Sequence, residues 1–128
     1  MLKVLDDRFK FRRPCYNNAH EFKGFVEFDI FDGLYLAGRE DMGHIEQCTG
    51  ISDKNGKLIY EGDIVRIEGD VMTIPPHLNG KLFEVKFEDL AFCFDLLDNR
   101  YGICWCECWD YEVVGNIHEQ KYHGGKNG

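Results

Sequence analysis

Hydrophobic and polar residues alternate along much of the chain, and this pattern predicts strands. The stretch 81–88, KLFEVKFE, places three apolar side chains on one face and three charged ones on the other. A period of two residues is typical of a strand with one buried face. We expect Phe83, Val85 and Phe87 to face the core, and Glu84, Lys86 and Glu88 to face solvent.

The stretch 8–14, RFKFRRP, alternates in the same way and ends at a proline, which cannot donate a hydrogen bond to a neighbouring strand. Its aromatic residues, Phe9 and Phe11, are predicted to face inward. The opposite face would then expose Arg8, Lys10 and Arg12. We interpret this basic face as the solvent side of an edge strand, where positive charge discourages pairing with other chains.

The remaining alternating stretches are short and similarly spaced, and none has a helical apolar period over ten residues or more. A tight turn is predicted at Asp32-Gly33, and loops at 38–46 and 69–80. The expected fold is all-β: a small barrel or sandwich of short antiparallel strands. Within it we predict an SH3-like meander over residues 62–115, with additional strands at the N-terminus. The other predicted strands lie at 22–38, 57–63, 63–68, 91–96 and 109–119.

The chain has 128 residues, a length typical of one domain. We predict a single domain over 1–120 and a flexible, Gly-rich tail over 121–128. Hydrophobic residues make up 44% of the chain, which favours a globular protein. No apolar run is long enough for a membrane span, and no export signal is visible. The expected location is therefore cytoplasmic, with the six cysteines reduced.

Charge is unevenly distributed along the chain. The net charge is −8, although residues 1–24 hold six basic and three acidic groups, a net of +3, which leaves −11 on the rest. A negative field repels phosphate, so binding of nucleic acid by the bulk of the surface is not expected. An alternative function stays open at the N-terminus, where a small barrel could bind nucleic acid through Arg8, Lys10, Arg12 and Arg13 with nearby aromatic residues.

The stretch 103–110, ICWCECWD, is the most unusual part of the sequence. In a strand, Cys104, Cys106 and Cys108 would share one face, about 6.6–6.8 Å apart in succession. Three such thiolates cannot all reach one tetrahedral zinc at about 2.3 Å. Free cysteine behaves as a small hydrophobic residue. We therefore predict a strand whose cysteine face packs inward, with no metal; the alternative, a metalloprotein or small enzyme built on this strand, would need Cys93 or His118 to approach as a further ligand.

If the cysteines fill the core, the opposite face places Trp105 and Trp109 outside it, with Tyr101 and Ile103. Proteins seldom leave such an aromatic patch bare. The patch must be covered by the N-terminal strands or by another chain. We expect a homo-oligomer that buries the Trp105/Trp109 face, and a further protein partner is possible.

No catalytic, cofactor-binding or metal-binding residues are predicted, and we expect a protein that is not an enzyme. The chain has no phosphate-binding loop, no nucleophile elbow and no dinucleotide fingerprint. The remaining candidates are acidic residues near turns and scattered histidines, without a spacing that defines a site. These are Glu88, Asp89, Asp95, Asp98, His20, His44, His77, His118 and His123.

Residues 47–69, QCTGISDKNGKLIYEGDIVRIEG, closely resemble the signature of the YopX family of phage and prophage proteins. Residues 111–120, YEVVGNIHEQ, resemble its second hallmark, and FKFRRP at 9–14 resembles its opening. Three departures are Cys48, His118 and the Pro14-Cys15 pair, which stand where the family has other residues. The resemblance implies a mostly-β fold and a phage or prophage origin, with no established reaction. It also makes homo-oligomers plausible.

The signature also has a physical interpretation as two turns around a short strand. Asn55-Gly56 suits the first turn and Gly62 the second, because both need a permissive backbone. Asp63 can accept hydrogen bonds from nearby backbone N–H groups. Tyr60 is expected to bury its ring. Each residue then has a structural role, so the motif need not be an active site.

Overall fold

The computed structural model describes residues 9–29, 42–88, 91–97, 102–119 and 121–122. The chain forms two compact units, residues 1–50 and residues 51–128. The single domain predicted over 1–120 stays a prediction. The turn predicted at Asp32-Gly33 and most of the predicted tail lie outside the described residues.

The first unit is built around strand β1, Lys10–Tyr16. It pairs antiparallel with β2, Phe22–Asp29, on one side and with β3, Glu46–Ser52, on the other. The register aligns Phe11 with Phe28 and with Gln47. The last two residues of β3 belong to the second unit.

The edge strand predicted at the N-terminus is therefore wrong, because β1 has a strand on each side. Its arginines are also not on a solvent face: Arg12 is 4% exposed and Arg13 8%, whereas Phe9 is 45% exposed. The physical reason is that Arg12 has a carboxylate partner in its own unit, Glu46, at 2.7 Å. Phe11 is half-buried and stacks on Phe28.

The second unit contains the other six strands: β4, Leu58–Tyr60; β5, Asp63–Glu68; β6, Lys81–Glu88; β7, Ala91–Leu96; β8, Gly102–Ile103; and β9, Asp110–Asn116. β4 lies beside β3, and the other five form one antiparallel sheet with the order β8-β7-β6-β5-β9. This sheet curls into a half-barrel, which confirms the all-β fold with its meander. The loop predicted at 69–80 is also confirmed as a series of turns.

The core of the second unit lies on the inner faces of these strands. Phe83 and Val85 are fully buried, as the alternation of β6 predicts. Phe87 is 41% exposed, so its predicted burial is wrong. It lies near the end of β6, where its ring packs on Phe92 of β7 with centroids 4.8 Å apart. The buried members of the core are Ile59, Val65, Ile67, Ile74, Leu78, Phe83, Val85, Phe94, Leu96 and Tyr111.

Among the described residues, no helix has the length and apolar character that crossing a membrane would require.

Candidate functional site

The cysteine-rich stretch is a crossing segment, which we define as residues 104–109, and not the predicted strand. β8 ends at Ile103, residues 104–106 have no regular structure, and a turn follows. β8 and β9 occupy opposite edges of the sheet. Four strand spacings of about 4.8 Å would separate the edges of a flat sheet by about 19 Å. The chain must therefore leave the strand geometry after Ile103 to reach Asp110 on the far edge.

Tyr111 fixes the middle of the crossing segment. Its hydroxyl accepts a hydrogen bond from Cys106 N at 2.8 Å and donates one to Cys106 O at 3.1 Å. Cys106 O also accepts from Trp109 N at 3.2 Å, which closes a turn. The Tyr111 ring is buried against Phe94, and burial raises the pKa of Tyr111 to about 12. The hydroxyl is thus a neutral anchor at physiological pH.

The cysteines of the crossing segment do not pack inward. Cys104 and Cys108 are exposed, and Cys106 is half-buried. The predicted cysteine core is therefore wrong, because the segment is not a strand with alternating faces. All six cysteines are free thiols.

The tryptophans are also placed differently from the prediction. Trp109 is half-buried against the core, and Ile103 packs on the same core. Trp109 Nε1 donates to Thr73 O at 3.1 Å. A Cβ atom on Gly69 would lie 2.7 Å from Trp109 Cδ1, so this close approach needs glycine. The 69–80 loop thus covers Trp109, while Trp105 is 42% exposed, and the two do not form one bare face. Tyr101 lies outside the described residues.

Two loops at one end of the curled sheet present exposed apolar side chains. Glu68 at the end of β5 pairs with Asp110 at the start of β9, so the start of the 69–80 loop lies beside the end of the crossing segment. The hydrogen bond from Trp109 Nε1 to Thr73 O joins the crossing segment to the loop. The large apolar side chains exposed on these loops are Val71 (72%), Met72 (87%) and Trp105 (42%). We call these three residues the two-loop surface.

Acidic residues border the two-loop surface. All four are exposed, and each lies in one of the two loops or at the strand end that joins it. We call these four residues the negative rim. They are Glu68, Asp70, Glu107 and Asp110.

The signature turn has the structural role that its sequence predicts. Gly56 and Gly62 have positive φ, +84° and +89°. Asp63 Oδ2 accepts from Tyr60 N at 2.8 Å, and Tyr60 is buried. These contacts confirm the predicted turns and the role of Asp63.

Asp53 is a buried carboxylate that sequence reasoning missed. Its Oδ1 accepts from Asn55 N and Lys57 N, each at 2.9 Å, and its Oδ2 accepts from Val113 N at 2.9 Å. Burial alone would raise the pKa of Asp53, but the three backbone N–H groups lower it overall. An aspartate two residues before Asn-Gly is the sequence feature that could have indicated this turn.

The two blocks that resemble YopX meet in space. Besides the bond between Asp53 and Val113, Lys54 N donates to Tyr111 O at 2.8 Å, and Ile117 N donates to Gly62 O at 2.9 Å. β5 and β9, which contain parts of the two blocks, pair along their length. Residues 51–69 of the first block and residues 111–119 of the second therefore belong to one hydrogen-bonded structure inside the second unit.

A second group of candidate ligands lies on β6 and β7. Donor atoms of Glu88, Cys93 and Asp95 lie within 4.8 Å of one another. Lys86 Nζ is 3.1 Å from Asp95 Oδ2 and already neutralises this carboxylate. Burial, with Asp95 and Glu88 nearby, raises the pKa of Cys93, which keeps its thiol protonated. The group is thus better explained as an ion pair than as a metal site.

Of the basic residues proposed for nucleic acid, Arg12 and Arg13 are buried and do not belong to an exposed basic face. Arg12 is paired with Glu46 and lies over the Phe25 ring at 3.7 Å. Arg13 donates to Gly43 O at 2.8 Å and to Met42 O at 3.3 Å. Arg8 lies outside the described residues. The arrangement leaves the two arginines engaged inside their own unit.

The histidine candidates that the structure describes are not brought together into a site. His44 and His77 are exposed, His20 lies in a turn with φ of 63°, and His118 is half-buried. Asp89, Asp98 and His123 lie outside the described residues.

The described strands define a small all-β protein whose largest exposed apolar side chains include three on two neighbouring loops. The sequence model of the YopX protein family matches residues 13–121, most of the chain, and the protein therefore belongs to this family. The crystal structure of protein yopX from Bacillus subtilis is 17% identical to the chain, with a TM-score of 0.46. That comparison covers 87% of this chain and 94% of the other. No curated protein matches the chain.

Proposed function

We propose that the protein is a non-enzymatic binding protein that docks a protein partner on the two-loop surface. The observation behind the proposal is the exposure of Val71, Met72 and Trp105 on loops anchored by hydrogen bonds. Methionine and tryptophan are enriched in protein interfaces, and anchored loops lose little entropy when they bind. The family-like residues support a scaffold role, because Asp53, Gly62 and Asp63 hold turns.

The negative rim favours a partner whose contact surface is apolar in the centre and basic around it. Opposite charges across an interface speed association and exclude wrong partners. A second copy that used the same surface about a two-fold axis would bring the acidic rims together. The homo-oligomer predicted through Trp105 and Trp109 stays a prediction, and the loop that covers Trp109 weakens its basis.

The resemblance to YopX proteins supports a phage or prophage origin as part of the proposal. The six free thiols support a reducing compartment, and we propose a cytoplasmic location. Nucleic acid is the less favoured partner, because Arg12 and Arg13 are buried and the protein's net charge is −8.

Capture from host lysate by immobilised protein tests the proposal, with Trp105→Glu as the disrupting variant. Phe87→Glu is the matched control, since Phe87 is 41% exposed and Trp105 42%. We expect one or more proteins retained by the wild type and by Phe87→Glu but reduced about tenfold or more by Trp105→Glu. Raised ionic strength should weaken the same capture.

Equal loss with both variants, or no specific capture at low salt, would contradict the proposal. Sedimentation equilibrium of the same three proteins examines the second copy separately. If the wild type is oligomeric and Trp105→Glu is monomeric, the two-loop surface binds a second copy of the chain and not a different protein.

A further inference from the structure

The crossing segment places two thiols on one tight turn. Trp109 N donates to Cys106 O, so residues 106–109 form a hydrogen-bonded turn with Cys106 first and Cys108 third. Two Cα–Cα steps of about 3.8 Å set an upper limit on the separation of these cysteines, and a turn shortens it further. Disulfides form at Cα separations of about 4.4–6.8 Å. The backbone of the turn is compatible with that range.

Cys106 also influences the titration of Cys108. The neighbouring Cys106 side chain is the main cause that raises the pKa of Cys108, so the Cys108 thiolate that attacks a disulfide forms at alkaline pH. Cys104, on the same segment, is the natural comparison, because it is exposed but precedes the turn.

Access to the two thiols differs. Cys108 is exposed and Cys106 is half-buried. The Tyr111 hydroxyl holds Cys106 through both its N–H and its carbonyl oxygen. An oxidant would therefore meet Cys108 first, with Cys106 held in place as the resolving thiol.

We propose that Cys106 and Cys108 form a redox-active dithiol that closes to a disulfide by exchange with a low-molecular-weight disulfide. The Cys108 thiolate attacks one sulfur of the small disulfide, breaking its S–S bond and releasing one small thiol. The Cys106 thiolate then attacks the Cys108 sulfur and releases the second small thiol. Two protein thiols are oxidised, one small disulfide is reduced to two thiols, and the protons end on these products.

The resulting disulfide would lock the turn next to Trp105. It would then change the presentation of Trp105 to a partner. This consequence rests on the proposed function, whereas the dithiol itself does not.

Incubation of the folded protein with oxidised glutathione at mildly alkaline pH tests the dithiol. Intact mass and peptide mapping then locate the product. The wild type and Cys104→Ser should each lose two hydrogens, with the bond mapped between Cys106 and Cys108. Cys106→Ser should instead accumulate one glutathione on Cys108, because the resolving thiol is missing. Cys108→Ser, altered at an exposed position, should give neither product at the turn.

Three results would overturn the proposal. The first is a wild type that keeps all its thiols. The second is a stable glutathione adduct on Cys108 of the wild type, without closure. The third is a disulfide that includes Cys104. Each is independent of partner binding, so failure of the dithiol and failure of the proposed function are distinguishable.

Discussion

The two units of the protein bury different chemistry. In the first, Arg12 and Glu46 form an ion pair with both side chains almost fully buried, and Arg13 is buried beside it on β1. In the second, the core is apolar, and the buried carboxylates Asp53 and Asp63 accept hydrogen bonds from backbone N–H groups. A buried carboxylate can thus be satisfied by a guanidinium or by the backbone.

The difference shows that alternation along a strand identifies which residues share a face, but not which face is buried. Residues 9–12, which lead into β1, and β6 both alternate aromatic or aliphatic residues with charged ones. In β6 the apolar residues Phe83 and Val85 are buried, whereas Arg12 of β1 is buried and Phe9, just before β1, is exposed. Which face is buried depends on the residues of neighbouring strands, and these come from other parts of the chain.

The largest expected effect comes from removing a buried apolar side chain of β6. Phe83→Ala should lower the free energy of unfolding by about 4 kcal/mol, because it deletes a fully buried ring and leaves a cavity. Phe9→Ala should change it by less than about 0.5 kcal/mol, because Phe9 is exposed. Urea denaturation measures both. Equal effects would mean that β1 and β6 do not differ as described.

Breaking the ion pair of the first unit should come next in size. Glu46→Leu leaves Arg12 buried without its carboxylate and should cost about 3 kcal/mol. The double variant Arg12→Met/Glu46→Leu should recover most of this loss in the same urea experiment. Arg66→Met is the control, since the Arg66–Glu112 pair is partly exposed and should contribute less than about 1 kcal/mol. A Glu46→Leu variant as stable as the wild type would argue against a buried pair.

Asp53 extends the comparison to a carboxylate that the backbone satisfies. Asp53→Asn should cost about 2 kcal/mol at neutral pH, because it disturbs three hydrogen bonds to a charged acceptor. Since the pKa of Asp53 is lowered in the folded protein, its contribution is present above the unfolded pKa of about 3.9. That contribution is lost as pH falls through the folded pKa.

Urea denaturation between neutral and acidic pH measures this dependence. Asp70→Asn is the control, because Asp70 is exposed and its carboxylate accepts a backbone hydrogen bond from Met72 N. On acidification, the free energy of unfolding should fall less in Asp53→Asn than in Asp70→Asn. An equal fall in the two variants would contradict the role of Asp53.

Tyr111 gives the smallest change in stability and the opposite pH dependence. Tyr111→Phe removes two hydrogen bonds to Cys106 and should cost about 1 kcal/mol. Because burial raises the folded pKa of Tyr111 to about 12, the hydroxyl stabilises the fold below the unfolded pKa of about 10. This stability should be lost as pH rises from about 10 towards 12. Tyr111→Phe should lose less in that interval, and an equal loss would contradict the anchor.

Local patterns in the sequence predicted much of the second unit. β5, β6 and β7, the 69–80 loop and the turn at Asn55-Gly56 follow from alternation and turn chemistry, which act between near neighbours. The burial of Arg12 could not be predicted this way, because Glu46 is 34 residues away. The non-strand conformation of the crossing segment follows from the positions of β8 and β9 on opposite edges, a property of the whole sheet.

Local sequence patterns also identified only part of the candidate site, because the rest depends on contacts between distant segments. The composition of ICWCECWD singled out the segment that contains Trp105, but periodicity assigned its side chains to the wrong environments. Val71 and Met72 were predicted only as part of a loop. Their place beside the crossing segment depends on the pairing of Glu68 with Asp110 and on the contacts of Thr73.

Site-specific photo-crosslinking tests most directly whether the two-loop surface binds a protein partner. A benzophenone side chain would be installed at position 72, where Met72 is 87% exposed, and separately at position 87 as the control. After irradiation in host lysate, we predict a crosslink from position 72 to a different protein, which Trp105→Glu abolishes, and none from position 87. A crosslink only between copies of this chain, or the same products from both positions, would contradict the account.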